Sequence, residues 1–155
     1  MTDLTALFTD LVRLETRLYN VLDVRLKAEH ELPLGQFEFL RFIEAHGTTR
    51  VFDIAREMAI TVGATSKAVD RLESAGRVRR TANPDDRRSS LVALTDEGER
   101  VLNAAKPTVE AELRTWVGSV LPAPVLDQLA TSLSMLRQHA EADHRTDRTE
   151  PKVTP

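Results

Sequence analysis

Residues 83–98 have the sequence NPDDRRSSLVALTDEG, and this stretch decides the fold. Its Pro/Asp turn separates residues 77–81 from residues 90–94, and the partial alternation of apolar and polar side chains on both sides predicts a β-hairpin. Arg87 and Arg88 lie at the tip of this hairpin. Thr95 or Asp96 is suited to cap a following helix, whose first turn carries the acids that a helix dipole favours. The stretch therefore predicts a cationic hairpin joined directly to a helix.

Two helices joined by a tight turn are predicted immediately before the hairpin. A helical stripe of apolar side chains predicts a short helix over about residues 51–58, preceded by a short extension at residues 49–51. Thr61 is suited to N-cap the next helix, which runs to Ala75, and Gly76 supplies a left-handed stop. Val69 and Leu72 are expected to hold this helix to the body of the protein. The side chains expected to point outward are then Thr65, Ser66, Lys67, Asp70 and Arg71.

Longer amphipathic helices are predicted on both sides of this centre. Apolar residues recur every three or four positions through the first thirty residues, which predicts a long first helix, and a second helix ends at His46 and Gly47. After the hairpin the helical stripe continues to Trp116, and Pro107 within it predicts a kink. Residues 143–155 have no apolar period and are predicted to form a disordered tail. The last helix carries a seam at Leu126, Leu129, Leu133 and Leu136.

The composition is that of an ordinary globular chain without cysteine chemistry. The sequence has 155 residues, of which 41% are hydrophobic and 29% charged, and it has no cysteine. Disulfides, thiolate metal sites and thiol redox sensing are therefore excluded. Neither a long apolar run nor a secretory signal is present, so the cytoplasm is the expected location and no membrane partner is expected.

Catalytic patterns are absent from the sequence. There is no glycine-rich nucleotide loop and no Gly-x-Ser-x-Gly elbow. The four histidines lack a paired metal-ligand spacing on a common helix face. The chain is therefore predicted not to be an enzyme, and neither a metal site nor a cofactor is expected.

The charge is distributed unevenly along the chain. The formal net charge is −3, yet residues 50–90 contain nine basic and six acidic side chains and so carry +3. The rest of the chain carries −6. A basic middle between acidic flanks is typical of a protein that presents one surface to phosphates, although the solvated faces of ordinary helices produce similar asymmetries.

The order of these elements resembles the MarR family of bacterial regulators over nearly the whole chain. The wing of that family has the pattern Asp-Pro-x-Asp-x-Arg followed by Leu-Thr-x-x-Gly, which residues 83–98 match except that Asn83 replaces the first Asp. Asn can make the same side-chain bond to the turn backbone. The fold class implied is mainly α with a small β wing, a winged helix-turn-helix with N- and C-terminal dimerisation helices. The expected regions are 1–32 and 100–142 for dimerisation, and 33–99 for DNA binding.

A double-stranded DNA contact is expected from the helix after Thr61 and from the wing. The N-terminal part of that helix suits insertion into a major groove, where Ala64 is able to meet a thymine methyl and its polar neighbours to meet base edges or phosphates. The resemblance assigns the wing to the minor groove, with the Asp86 carboxylate orienting the Arg88 guanidinium. The alternative for each residue is a solvated helix face or a polar turn. The predicted DNA-binding residues are Ala64, Thr65, Ser66, Lys67, Arg71, Asp86, Arg87 and Arg88.

The first helix and the Leu-rich last helix carry more apolar surface than the short middle helices can cover, so a homodimer is expected. A twofold dimer places two recognition helices about 10 base pairs apart and predicts a pseudo-palindromic operator. The resemblance implies a repressor released by a small aromatic or anionic ligand, such as a carboxylate. The pocket candidates Arg17, Tyr19, His30, Phe37 and Arg41 have core, packing or surface roles as their alternatives. The alternative function is a helical homodimeric interaction protein without specific DNA binding.

Overall fold

The computed structural model describes residues 1–146, which form six α-helices, a π-helical turn and a small three-stranded sheet. This confirms the mainly α fold class with a small β wing. The chain divides into two compact units, one of residues 1–112 and one that begins at Leu113. In chain order the elements are α1 (Leu4–His30), α2 (Leu34–His46), β1 (Thr49–Arg50), α3 (Val51–Glu57), α4 (Val62–Ser74), β2 (Val78–Ala82), β3 (Ser90–Leu94), α5 (Asp96–Leu113), the π-helical turn (Arg114–Gly118) and α6 (Ala123–Thr146).

The core of the first unit is assembled from every helix of that unit and from the sheet. Helix α1 contributes only its C-terminal half, where Leu22 and Leu26 are buried. Burying a side chain of this size stabilises a fold by about 1.5–3 kcal/mol relative to leaving it in water, so this cluster holds α4 and the sheet to the helices before them. The largest fully buried side chains are Leu26, Leu32, Phe37, Leu40, Ile43, Ile54, Thr65, Val69, Leu72, Val92 and Leu102.

Helix α4 has the two ends that the sequence predicts. The Thr61 hydroxyl accepts a hydrogen bond from the Ala64 N–H at 3.2 Å, which satisfies one of the unpaired donors of the first turn. At the other end Gly76 adopts a φ of +68°, the left-handed conformation that stops a helix and that glycine adopts without strain. Both predictions are confirmed, and α4 is therefore a helix of defined length.

Removal of the Thr61 cap is expected to lower the free energy of unfolding. The Thr61→Ala variant leaves the Ala64 N–H without its partner, and the expected loss is about 1 kcal/mol in a urea titration. Thr48→Ala is the matched control, because Thr48 is exposed and caps no helix. Equal stability of the two variants would contradict the capping role.

The wing is a three-stranded antiparallel sheet in the order β1-β3-β2. Strands β2 and β3 form the predicted hairpin, with Val78 opposite Leu94 and Ala82 opposite Ser90. Residues 49–50, predicted only as an extension before α3, are strand β1, and Thr49 pairs with Val92 of β3. Two residues are too few for a period of two to be visible in a sequence, so this strand was missed.

The start of α5 packs against the turn that follows α4. The Thr95 hydroxyl accepts from the Gly98 N–H at 3.0 Å and donates to the Gly76 carbonyl at 2.5 Å. The Thr95 N–H in turn donates to the Arg77 carbonyl at 3.2 Å. Thr95 is thus the cap of α5, and it also joins the end of the wing to the turn that follows α4.

The C-terminal part of the chain departs from prediction in two places. Helix α5 ends at Leu113, and a π-helical turn carries the predicted stripe on to Trp116. Pro107 lies inside α5, and the kink expected there stays a prediction. Helix α6 extends to Thr146, so residues 143–146 of the predicted tail are helical. The rest of that predicted tail lies outside the described residues. No helix within residues 1–146 has the length and apolar character to cross a membrane.

Candidate nucleic-acid interface

The nine basic side chains of residues 50–90 fall into two groups in the structure. Five of them bond to acceptors of the protein itself. The other four are exposed, and within residues 1–146 none of them has a hydrogen-bond or ion-pair partner. The bonded group is Arg50, Arg56, Arg77, Arg79 and Arg80, and the unpaired group is Lys67, Arg71, Arg87 and Arg88. The unpaired group lies on α4 and on the wing turn, the two elements predicted to contact DNA.

The bonded arginines have structural partners. Arg77 donates to the Gln36 side chain at 2.9 Å and to the Glu31 carbonyl at 3.0 Å, and so joins the start of β2 to the end of α1 and the first turn of α2. Arg79 donates to the Leu94 carbonyl at 3.1 Å across the hairpin. Charge counted along the sequence therefore overstates the number of cations available to a phosphate.

Helix α4 presents Ala64, Lys67 and Arg71 to solvent and leaves Ser66 half-buried. The prediction that Thr65 points outward is wrong. Its side chain is 0% exposed, and its hydroxyl donates to the Thr61 carbonyl at 2.9 Å. The signal was present in the sequence, because Thr65 precedes Val69 and Leu72 by four and seven positions and so belongs to the same buried stripe.

The wing turn is held by side-chain bonds to its own backbone. Asn83 is buried, its Oδ1 accepts from the Asp85 N–H at 3.0 Å, and its Nδ2 donates to the Ser89 hydroxyl at 2.8 Å. The expectation that Asn replaces Asp in this turn without loss of its bond is confirmed. Arg87 and Arg88 project from this turn as exposed side chains.

Asp86 acts on Arg88 differently from the prediction. Its carboxylate accepts from the backbone N–H of Arg88 at 3.0 Å, and no ion pair joins it to the guanidinium within the described residues. In a tight turn the N–H two residues ahead lies within reach of a short carboxylate, which favours this local bond. Asp86 therefore shapes the backbone from which Arg88 projects rather than aiming its guanidinium.

An ion pair stands beside the wing turn. Arg50 binds both carboxylate oxygens of Asp53, at 2.8 and 3.1 Å, and these two residues line an open cleft of about 700 Å³ that Pro84 and Asp86 border from the wing. The hydrogen bond from Arg50 and its positive charge hold the pKa of the Asp53 carboxyl below its ordinary value. The pair orders the start of α3 next to the wing.

The lowered pKa of Asp53 predicts an acid-sensitive contribution to stability. Because the folded-state pKa is below that of the unfolded chain, the carboxylate stabilises the fold above the unfolded value. This stabilisation is lost as the pH falls through the folded value. Asp53→Asn is expected to flatten the fall in unfolding free energy from about pH 7 to about pH 3, measured by urea titration at each pH. Asp10→Asn, which removes an exposed carboxylate of α1, is the control and should leave the pH profile as in the wild type.

The pocket candidates from the sequence have different surroundings. Phe37 is 1% exposed and belongs to the core, which favours its alternative role. His30 borders a cleft of about 410 Å³ at the end of α1, where its Nε2 lies 2.8 Å from the Thr108 hydroxyl. Arg17 and Tyr19 are exposed on α1. Arg41, the remaining candidate, pairs with Glu38 at 3.5 Å. No group of three or more metal-binding side chains occurs in the described part of the chain.

Comparison with known proteins identifies relatives of this chain. Residues 32–90 match the model of the MarR family. The HTH-type transcriptional regulator YfiV of Bacillus subtilis is 35% identical over 71 residues, 46% of this chain and 44% of YfiV, so that match spans less than half of the relative. The HTH-type transcriptional repressor MdtR of Bacillus subtilis is 33% identical over 115 residues, 72% of this chain and 71% of MdtR.

A solved structure of a MarR family regulator is similar to this chain over most of its length. Sco3205, a MarR family transcriptional regulator from Streptomyces coelicolor solved in complex with DNA, has a TM-score of 0.79 to this chain. It is 27% identical, and the match covers 87% of this chain and 86% of Sco3205. The element order, the wing turn and these similarities together show that the chain belongs to the MarR family of winged helix transcriptional regulators.

Proposed function

We propose that this chain is a homodimeric transcriptional repressor that binds a pseudo-palindromic operator through α4 and the wing and is released by a small aromatic or anionic ligand. The observation that carries the proposal is the position of the four unpaired cations. Lys67, Arg71, Arg87 and Arg88 lie on the two elements that a winged helix-turn-helix inserts into DNA grooves, while other nearby arginines are used internally. The relative MdtR is named a repressor, and Sco3205 was solved with DNA.

Each residue predicted to bind DNA has a role in this proposal. Ala64 contacts a thymine methyl and Ser66 a base edge in the major groove, while Lys67 and Arg71 contact phosphates or guanine. Arg87 and Arg88 enter the minor groove beside it. Asp86 holds the turn, and Thr65 packs α4 against the core instead of contacting DNA.

The apolar surfaces of α1 and α6 support a dimer. In the single chain Leu7 and Phe8 of α1 are 53% and 66% exposed, although they belong to a regular apolar stripe. Helix α6 has its own exposed stripe, which includes Leu133 and Leu136 at 41% and 63%. Surfaces of this kind are stabilised by a second copy, and a twofold pair sets two α4 helices about one DNA turn apart.

Fluorescence anisotropy with two labelled duplexes tests the DNA function. One duplex carries a candidate inverted repeat chosen from the DNA that flanks the encoding gene, and the other has the same composition in scrambled order. We expect tighter binding to the inverted repeat, with an affinity that falls steeply with salt because phosphate contacts release counterions. Equal binding to both duplexes by a dimeric protein would instead support an interaction protein without DNA specificity. A chain that remains monomeric at micromolar concentration in sedimentation would contradict the dimer.

Ligand release is tested separately with hydroxybenzoates as probes. A compound that binds the DNA-free form more tightly must weaken operator binding by the same factor, since the two equilibria are linked. We expect at least one hydroxybenzoate to raise the melting temperature of the free protein and to dissociate the labelled operator. A raised melting temperature with unchanged operator affinity would contradict release by that ligand.

A further inference from the structure

Arg80 is half-buried between the wing and α4. Its side chain is 25% exposed, and its Nη2 donates to the Ser66 carbonyl at 3.1 Å and lies 2.6 Å from the Asp70 carboxylate. Its Nε is 3.8 Å from Glu73, whose carboxylate also accepts from the Arg80 backbone N–H at 3.2 Å. One arginine of β2 therefore binds three residues of α4 over two helical turns.

These contacts place a positive charge beside the carboxylates of helix α4. Asp70 and Glu73 lie on the same helix as Lys67 and Arg71. The Asp70 side chain is 57% exposed and that of Glu73 is 43% exposed. Carboxylates on a helix that enters a groove repel the phosphates that the lysine and arginine attract. The Arg80 guanidinium is the positive charge placed between them.

We propose that Arg80 is a positioning residue that sets DNA affinity without touching DNA, by fixing α4 to β2 and offsetting part of the negative charge of the α4 carboxylates. The inference rests on the proposed DNA-binding function. The Arg80 Nε is buried and has no hydrogen-bond partner within the described residues, so this edge of the guanidinium faces the protein. Desolvating an N–H without a partner is unfavourable, and the ionic contacts to Asp70 and Glu73 offset this cost.

A double-mutant cycle on operator affinity tests the proposal. Arg80→Met is made in the wild type and in an Asp70→Asn, Glu73→Gln background, and each affinity is measured by anisotropy across a salt series. In the wild-type background we expect about tenfold weaker binding, because Asp70 and Glu73 lose the one positive charge that offsets part of their repulsion of phosphate. In the neutralised background the same substitution is expected to change affinity by no more than about twofold.

A direct phosphate contact by Arg80 would give a different result. The loss would then be equal in both backgrounds, and the slope of log affinity against log salt would become shallower by about 0.9. Either finding overturns the positioning role. Arg79→Met is the matched control, because it removes the same charge from the preceding residue of β2, whose guanidinium bonds to Leu94 and not to α4. It is expected to weaken binding less than Arg80→Met does.

Two further measurements keep the outcomes separate. Circular dichroism and urea unfolding establish that each variant folds, and Arg80→Lys, which keeps the charge but loses the fork geometry, should recover part of the affinity if Arg80→Met is unstable. A wild type that ignores all duplexes contradicts the proposed function itself. If the wild type binds its operator and both Arg80→Met and Arg80→Lys bind it as tightly as the wild type does, the role of Arg80 is contradicted and the proposed function is not.

Discussion

Gly98→Ala is expected to destabilise the first unit by more than about 4 kcal/mol, enough to leave the chain largely unfolded. A Cβ at position 98 would lie 1.9 Å from the Arg77 carbonyl oxygen and 2.9 Å from its carbon, and both are backbone atoms. The carbonyl also accepts the Thr95 N–H. The start of α5 must therefore move away from the end of α4, which breaks the contacts that close the wing.

Far-ultraviolet circular dichroism and urea unfolding measure this effect. Gly63→Ala is the control, because a Cβ there meets nothing within 4 Å and alanine is the better helix former. The control is expected to be as stable as the wild type or more so. An unfolding free energy for Gly98→Ala within about 1 kcal/mol of the wild type would contradict the close approach of α5 to Arg77.

Arg87→Ala combined with Arg88→Ala is expected to weaken operator binding about 100-fold while leaving the fold intact. Both side chains are exposed and have no partner within residues 1–146, so their removal breaks no contact of the free protein. If both reach phosphates or a narrow minor groove, the slope of log affinity against log salt becomes shallower by about 1.8.

Arg13→Ala combined with Arg17→Ala is the matched control for the wing pair. It removes the same charge from two exposed arginines of α1, outside the wing and α4. If net charge acts only at long range, the two double variants lose the same operator affinity. This result would show that the wing makes no direct contact with DNA. Sedimentation checks that each variant has the same association state as the wild type, so that a change in affinity reports on DNA contacts.

Helix ends and turns could be predicted because their causes are local. Thr61 caps α4 through a bond three residues away, Gly76 ends the helix by its own backbone conformation, and Asn83 closes the wing turn on Asp85. Each signal is contained in a few neighbouring residues. Strand β1 has no such signal, since its existence depends on Leu91 and Val92, about forty residues later in the chain.

The candidate site could be predicted only in outline from the sequence. The elements that carry it, α4 and the wing, were assigned, yet Thr65 proved to be buried and Asp86 to bind backbone. Arg80 was counted among the basic residues without a role. Its partners Ser66 and Asp70 lie ten or more positions earlier, where only the packing of β2 on α4 brings them within reach.

The sequence by itself determined the helices, the caps of α4 and α5, the hairpin and the basic character of residues 50–90, because spacing, turn chemistry and charge act over short distances along the chain. The tertiary structure decided which cations remain available. Arg77 donates to Gln36 and Arg80 pairs with Asp70 only in the folded chain, whereas the Arg88 side chain has no acceptor within residues 1–146. An arginine is available to a phosphate when folding brings no acceptor to it, and that depends on residues distant in sequence.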